Sequence, residues 1–256
     1  MVKGLYTAYT GMINEQNRMD VLTNNLANAS TVGFKKEGAT SQSFDDVLAL
    51  KIKDTTYAGN AKPLGYMSMG VKVGENYTDY SQGSMRETGN TYDIALSGTG
   101  FFSVEFTNKA GQTSTKYTRD GSFTLNKDGY LVTKDGDFVL GKNGRIKLDP
   151  LQPSAIDKNG NIYQNDRLMA TLNITDFEDY NYLEHYGENY YQPVEGVRTK
   201  AGEYQTLSGY LEMSNMSVVQ EMVNMISVSR AYETNQKIVQ AYDSSLEIAA
   251  NQIGKV

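Results

Sequence analysis

His185 is the single histidine in this 256-residue chain, and any Ser–His relay would have to use it as base. It stands in an acidic, tyrosine-rich stretch, and no Gly-x-Ser-x-Gly elbow presents a serine nucleophile. It therefore reads as a surface histidine. Gly98-Thr99-Gly100 has two of the three glycines of a phosphate-binding fingerprint. Neither the third glycine nor a helical pattern follows, so a tight turn or bulge between strands accounts for it better. In Asp157-Lys158-Asn159-Gly160-Asn161 the glycine is fourth in the series, where a calcium loop needs it sixth. The carboxylate pairs Asp45-Asp46 and Glu178-Asp179 look like solvated faces of an acidic chain. With no cysteine there are no disulfides and no thiolate metal ligands. The reading is a protein without catalytic residues, metal or cofactor. The tyrosines carry more information. Tyr180, Tyr182, Tyr186, Tyr190 and Tyr191 crowd into one short stretch, and tyrosine is favoured at protein interfaces. Edge-strand decoration is the plainer alternative to an interface there.

Composition narrows the partners. The net charge is −6 and no basic stripe stands out, which argues against a phosphate backbone as ligand. No stretch approaches the roughly 20 apolar residues of a membrane span. The start, MVKGLYTAYTGMINEQ, lacks the continuous apolar run of a secretory signal peptide. An apolar fraction of 39% with 24 glycines and 19 tyrosines indicates a modest core, many turns and much amphipathic surface.

Two helices flank the chain in this reading, over residues 3–29 and 214–254. Leu5, Met12, Met19 and Leu26 recur every seven residues in the first. Val218, Met225, Tyr232, Val239, Leu246 and Ile253 do so in the second. A seven-residue apolar repeat keeps one seam of a helix facing a partner helix. With Leu22 and Met222, these residues form the expected assembly interface. The longer seam would overhang an intrachain hairpin, and packing between copies of the chain would cover the excess. Glu221 and Asn235 fall in the row beside the C-terminal seam and make that row imperfect. Asn14, Asn17, Asn24, Asn25 and Asn28 either fray and cap the first helix or bond across a packed array. Ser217 and Gln220 have capping-box spacing at the start of the second helix.

Residues 34–88 read as a connector with short strands. Residues 89–213 read as a β-rich outer domain. Asp128-Gly129, Asp135-Gly136, Asn143-Gly144 and Asn159-Gly160 supply the positive φ angles of tight turns, so a meander of short antiparallel strands is expected. Residues 1–33 and 214–256 together make the helical terminal domain.

These motifs resemble a known family. Thr10-Gly11-Met12, Met19-Asp20-Val21, the run Asn24 to Asn28 and Gly33-Phe34-Lys35 are similar to the N-terminal signature of bacterial flagellar basal-body rod proteins. Thr88 to Phe102 and Tyr117 to Asp137 resemble its β-domain patterns, and Gly209 to Lys237 its C-terminal signature. The resemblance covers nearly the whole chain. It implies an α+β fold whose long N- and C-terminal helices form a coiled-coil-like, tube-forming domain, with a mainly antiparallel β middle domain outside. It also implies a structural subunit of the axial rod that polymerises with itself and meets other rod and hook proteins. Passage through the flagellar type III export apparatus, without a cleaved leader, is part of the same implication. The length falls short of a typical hook protein. The connector from Ser41 to Met69 resembles in length that of distal rod proteins, which favours the distal over the proximal rod. The rival readings are a β-rich binding module on a helical stalk and a cell-wall-acting enzyme.

Overall fold

The computed structural model describes residues 2–51, 62–108, 111–187, 189–194, 196–200 and 202–253. The chain divides into two compact units. One comprises Met1–Ala27, Glu37–Thr78 and Ser217–Val256; the other comprises Asn28–Lys36 and Asp79–Met216.

The first unit contains two helices, α1 (Val2–Ala27) and α2 (Val218–Ile248). Ser217 caps α2, its hydroxyl accepting the Gln220 N–H at 3.5 Å, as the Ser217/Gln220 spacing suggested. The helices run antiparallel and meet through small and polar residues. The Tyr242 ring sits over Gly4 and the Asn235 amide over Gly11, so seven residues forward on α1 are seven backward on α2. Each glycine leaves the space that its partner's side chain fills. Glu221 and Val228, two and one heptads before Asn235, are buried. The row that looked imperfect in sequence is thus the inward face of α2.

Four strands share this unit. Glu37–Ser43 pairs antiparallel with Val71–Thr78, and Val47–Lys51 with Lys62–Met67. The fully buried Asn25 fastens α1 to the first of them: its amide donates to the Glu37 carbonyl at 2.7 Å and accepts the Glu37 N–H at 3.0 Å. An asparagine amide has the donor and acceptor of a backbone peptide, so one side chain satisfies both groups where the strand begins. Neither fraying nor bonding across an array describes this residue. Thr7 donates to the Met69 carbonyl at 3.0 Å, and Gly70, at φ 143°, lies where a Cβ would strike the Thr10 hydroxyl.

The second unit is β-rich. Its main sheet runs through Leu183–Tyr186, Tyr190–Pro193, Thr113–Thr118, Phe101–Thr107, Phe138–Gly141, Leu131–Val132 and Thr124–Leu125, all antiparallel neighbours. Ile174–Phe177 also pairs with Phe101–Thr107, and Thr199–Lys200 pairs with Ile174–Phe177. Ser154–Ile156, Asn161–Gln164 and Arg167–Thr171 form a separate three-stranded sheet. The Asp-Gly and Asn-Gly turns sit where the sequence placed them. Gly129, Gly136, Gly144 and Gly160 all have positive φ, and Asn126 Oδ1 accepts the N–H groups of Asp128 and Tyr130 to close one loop. Gly98 (φ 112°) and Gly100 (φ 108°) bend the chain between the strands Ile94–Gly98 and Phe101–Thr107, which is the turn expected in place of a phosphate loop.

Successive residues of a strand face opposite sides of a sheet. Phe102 enters one core with Phe123, Leu131, Ile146, Ile162 and Leu172. Phe101 enters another with Phe177, Leu183 and Tyr191.

This architecture corrects the expected fold class. The chain does not build a coiled-coil-like tube domain from long terminal helices. It has one N-terminal and one C-terminal helix, and the large remainder among the described residues is β, including four strands within the helical unit. The physical reason lies in the helix contact. Gly4, Gly11, Asn235, Glu221 and Tyr242 lack the interlocking apolar knobs a coiled coil requires, and a seven-residue count cannot tell an apolar seam from a small, polar face.

Candidate assembly interface

The seam residues divide by position. Leu5, Met12, Met19, Leu22 and Leu26 on α1 are half-buried, as are Met225, Tyr232 and Val239 on α2. Val218, Met222 and Leu246 are exposed. Ile253 belongs to the turn that ends the helical segment, and its side chain lies outside the described residues. The middle of the α2 seam is thus half-buried, while Val218 at its start and Leu246 lie at the surface.

The five tyrosines divide as well. Tyr191 is in the second core, and Tyr180 packs against it through Tyr80 and Phe101 at ring distances of 4.9 and 5.9 Å. Tyr190 is half-buried and donates to Asp137 at 2.8 Å. Burial first, then the Asp137 and Asp135 carboxylates, push its phenol above the usual tyrosine range. Tyr182 and Tyr186 are exposed. The Lys116 ammonium lies 3.8 Å from the centroid of the Tyr186 ring. His185 is exposed, with its ring edge-on to Tyr191 at 5.4 Å.

Sequence reading missed a buried ionic clasp in the β-rich unit. The Glu212 carboxylate is fully buried. It accepts Lys35 Nζ at 2.6 Å, Arg119 Nη1 at 3.3 Å and the Gly83 N–H at 2.9 Å. Lys35 also donates to the Ser81 carbonyl at 2.8 Å, and Arg119 Nη2 to the Gly98 carbonyl at 2.8 Å. Around the clasp, Gly33 N–H donates to the Glu212 carbonyl, Asp79 N–H to the Lys36 carbonyl, and Lys36 N–H to Asn215 Oδ1. Five segments distant in sequence are tied together where the chain enters and leaves this unit. Burial lowers the Lys35 pKa below the lysine range, although Glu212 opposes the shift. The only sequence signal was Lys35 within the Gly-Phe-Lys motif.

A second buried carboxylate, Asp176, closes the strand pair Ile174–Phe177/Thr199–Lys200. It accepts the Tyr180 hydroxyl at 2.6 Å and the Phe177 N–H at 2.9 Å, with Lys200 Nζ at 3.3 Å. Burial alone would raise its pKa. The hydrogen bonds from Tyr180, Thr99, Phe177 and Lys200 outweigh burial and hold it below its ordinary 3.8. The sign follows: this carboxylate stabilises the fold above the unfolded value, and the contribution fades as pH falls through the lower folded value. Unfolding by urea, followed by circular dichroism from pH 7 to pH 2, should weaken less steeply with acid in Asp176→Asn than in wild type. Parallel slopes would refute the assignment.

Among the described residues no three His, Cys, Asp or Glu side chains are placed to hold a metal ion. A cavity of 590 Å³ beside Thr31, Phe106, Asp135 and Tyr190 has no histidine in its wall. No helix among the described residues is long and apolar enough to cross a membrane.

What the molecule offers is a protein with apolar helix surface and a clasped β unit, whose distinctive residues lie at both ends of the chain. Three family descriptions match it. "Flagella basal body rod protein" covers residues 5–35, "Flagellar hook protein FlgE/F/G D1 domain" residues 95–164, and "Flagellar basal body rod FlgEFG protein C-terminal" residues 207–253. The flagellar basal-body rod protein FlgG of Bacillus subtilis is 33% identical over 98% of this chain and 99% of its own length. The hook-basal body complex protein FlhO of the same organism is 31% identical over the whole of both chains. The rod protein FlgF of Caulobacter vibrioides is 30% identical, again over both whole chains. The chain belongs to the flagellar basal-body rod protein family.

Proposed function

We propose that this protein is a structural subunit of the flagellar basal-body rod, copies of which polymerise into a hollow helical shaft that transmits torque and passes exported subunits. The observation that carries the reading is likeness from end to end: relatives named as rod proteins match over 96–100% of this chain and 98–100% of their own length. A protein whose role is stacking needs both its helical ends and its β unit, whereas a borrowed module would match over one of them. The subunit reaches its place through the flagellar export apparatus and meets other rod and hook proteins above and below. Relatives named FlgG and FlgF match at similar identity, and the length of the Ser41–Met69 connector favours the distal segment.

The seam residues Leu5, Met12, Met19, Leu22, Leu26, Val218, Met222, Met225, Tyr232, Val239, Leu246 and Ile253 belong to the polymer contact in this reading, with exposed Tyr182 and Tyr186 available at the β unit. Burying apolar area contributes roughly 25 cal/mol per Å², so small contacts repeated in every subunit make a stiff shaft. Leu246→Glu, at an exposed site, should abolish polymers of the purified protein in sedimentation velocity and electron microscopy. Its β unit should keep the wild-type urea midpoint. Wild-type protein that stays monomeric at every concentration would sink the function itself, and unimpaired polymerisation of the variant would sink the seam. Robust peptidoglycan turnover would favour the enzyme reading instead.

A further inference from the structure

The 590 Å³ cavity of the β-rich unit falls inside the roughly 300–1,000 Å³ range of small-molecule sites. Apart from Tyr186, no residue of the proposed polymer contact lines it. Its apolar side is aromatic. Phe106, Tyr186 and Tyr190 stand there, with the Phe106 ring 5.4 Å from Tyr186 and 6.0 Å from Tyr190 at interplanar angles of 73° and 57°. Rings tilted in this way form a corner and not a stack. The Tyr190 hydroxyl donates to Asp137 at 2.8 Å, which fixes one side of that corner.

The polar side is rich in acceptors: Asp120, Asp135 and Asn189 stand in the wall. Asn189 is held twice. Its Nδ2 donates to the Val32 carbonyl at 2.9 Å, and its own carbonyl accepts the Thr118 hydroxyl at 2.8 Å. The Val32 oxygen can only accept, so the amide nitrogen must lie on that side. Asn189 Oδ1 is then left buried with no donor among the described residues, a costly arrangement until a donor arrives.

Charge and shape select the ligand. An anion would meet two carboxylates, Asp120 and Asp135, against one ammonium, Lys134. A cation would meet Lys134 in the wall and find the Tyr186 ring already taken, with Lys116 Nζ 3.8 Å from its centroid. A wholly apolar ligand would leave the acceptors desolvated and unpaired. What fits is neutral, rich in donors and apolar on one face. A pyranose sugar has that form: its C–H face suits an aromatic wall, and its rim of hydroxyls donates to carboxylate and amide oxygens. We propose that this cavity binds a neutral saccharide, its ring laid in the Phe106–Tyr186–Tyr190 corner and its hydroxyls donated to Asn189, Asp135 and Asp120. The site adds an occupant to the β unit and does not rest on the rod reading.

The test titrates full-length protein by calorimetry with chitotetraose, cellotetraose and maltotetraose, with tetramethylammonium as the cationic control. At least one tetrasaccharide should bind with a Kd of about 1 mM or tighter, and its affinity should hold between about 0.05 and about 0.5 M salt because no ion pair is involved. Tyr186→Ala and Asn189→Ala should each weaken it about tenfold. Tyr186 is exposed, so its variant should keep the wild-type circular dichroism spectrum whatever becomes of Asn189→Ala. Asp135→Asn retains an acceptor oxygen and should keep the affinity, whereas a cation site would lose its charge. Sedimentation with insoluble peptidoglycan separates the sources: co-pelleting that the tetrasaccharide displaces assigns a glycan strand, and binding of the soluble sugar alone assigns a free saccharide. No binding of any of the three sugars, sugar binding that Tyr186→Ala leaves unchanged, or tetramethylammonium bound in preference to all of them would overturn the proposal and leave the rod reading standing.

Discussion

Glu212→Ala should cost about 3–5 kcal/mol, the usual consequence of removing one partner from a buried ion pair. Lys35 and Arg119 would remain buried with no carboxylate between them, since Glu212 is the acid that both contact. The Gly83 N–H would lose its acceptor too. The measurement is the urea midpoint of the full-length protein followed by tyrosine near-ultraviolet circular dichroism, with an unchanged slope marking a stability effect. The clasp also predicts a ranking. It holds two cations to one anion, so Lys35→Met removes the surplus charge and leaves Arg119 and Glu212 paired. That variant should lose clearly less than Glu212→Ala. If the two lose equally, packing at the site outweighs its charge. Alkaline titration gives a further check. Because burial lowers the Lys35 pKa, the folded state sheds this proton before the unfolded chain does. This group's contribution to stability therefore rises as pH climbs from the folded value toward 10.5. The difference in stability between wild type and Lys35→Met isolates that slope.

Local features were legible in the sequence and long-range pairings were not. Asp-Gly and Asn-Gly turns declare themselves because only a few residues tolerate positive φ, and Gly129, Gly136 and Gly160 adopt it where the pattern said. The helix start at Ser217 was legible for the same local reason. The fold class was misread because spacing reports that one face repeats, without reporting what that face touches. Glu221 and Asn235 looked like faults in an apolar row and turned out to face inward, Asn235 over Gly11, while Val218 at the seam's end is exposed. The clasp was out of reach. Lys35 and Glu212 are 177 residues apart, and a buried lysine has the same letter as a solvated one. The tyrosine stretch shows the limit within one segment: Tyr180 and Tyr191 are in or against the core while Tyr182 and Tyr186 are exposed, and only strand pairing decides which is which.

Phe102→Ala should be as damaging as loss of Glu212, at about 3–5 kcal/mol for truncating a buried phenylalanine. Phe102 is fully buried, and its ring meets Phe123 edge-on at 5.1 Å. Around it stand Leu131, Val139, Ile146 and Leu172; Leu131 and Val139 belong to strands of only two and four residues, and Ile146 and Leu172 follow directly after two more short strands, Gly144–Arg145 and Arg167–Thr171. Strands so short contribute few ladder bonds, so the register of Leu131–Val132 and Phe138–Gly141 depends on what they pack against. A cavity at Phe102 should therefore loosen hydrogen-exchange protection across residues 124–146 first. Phe101→Ala has a similar expected cost by a different route. Its ring points to the other face, toward Phe177, Tyr180 and Tyr191 at 5.4–6.0 Å. There the early loss of protection should fall on residues 174–193. If both variants lose protection uniformly across both regions, the two faces of the Phe101–Thr107 strand unfold as one core, and the division of the β unit into two packed clusters fails as an energetic statement.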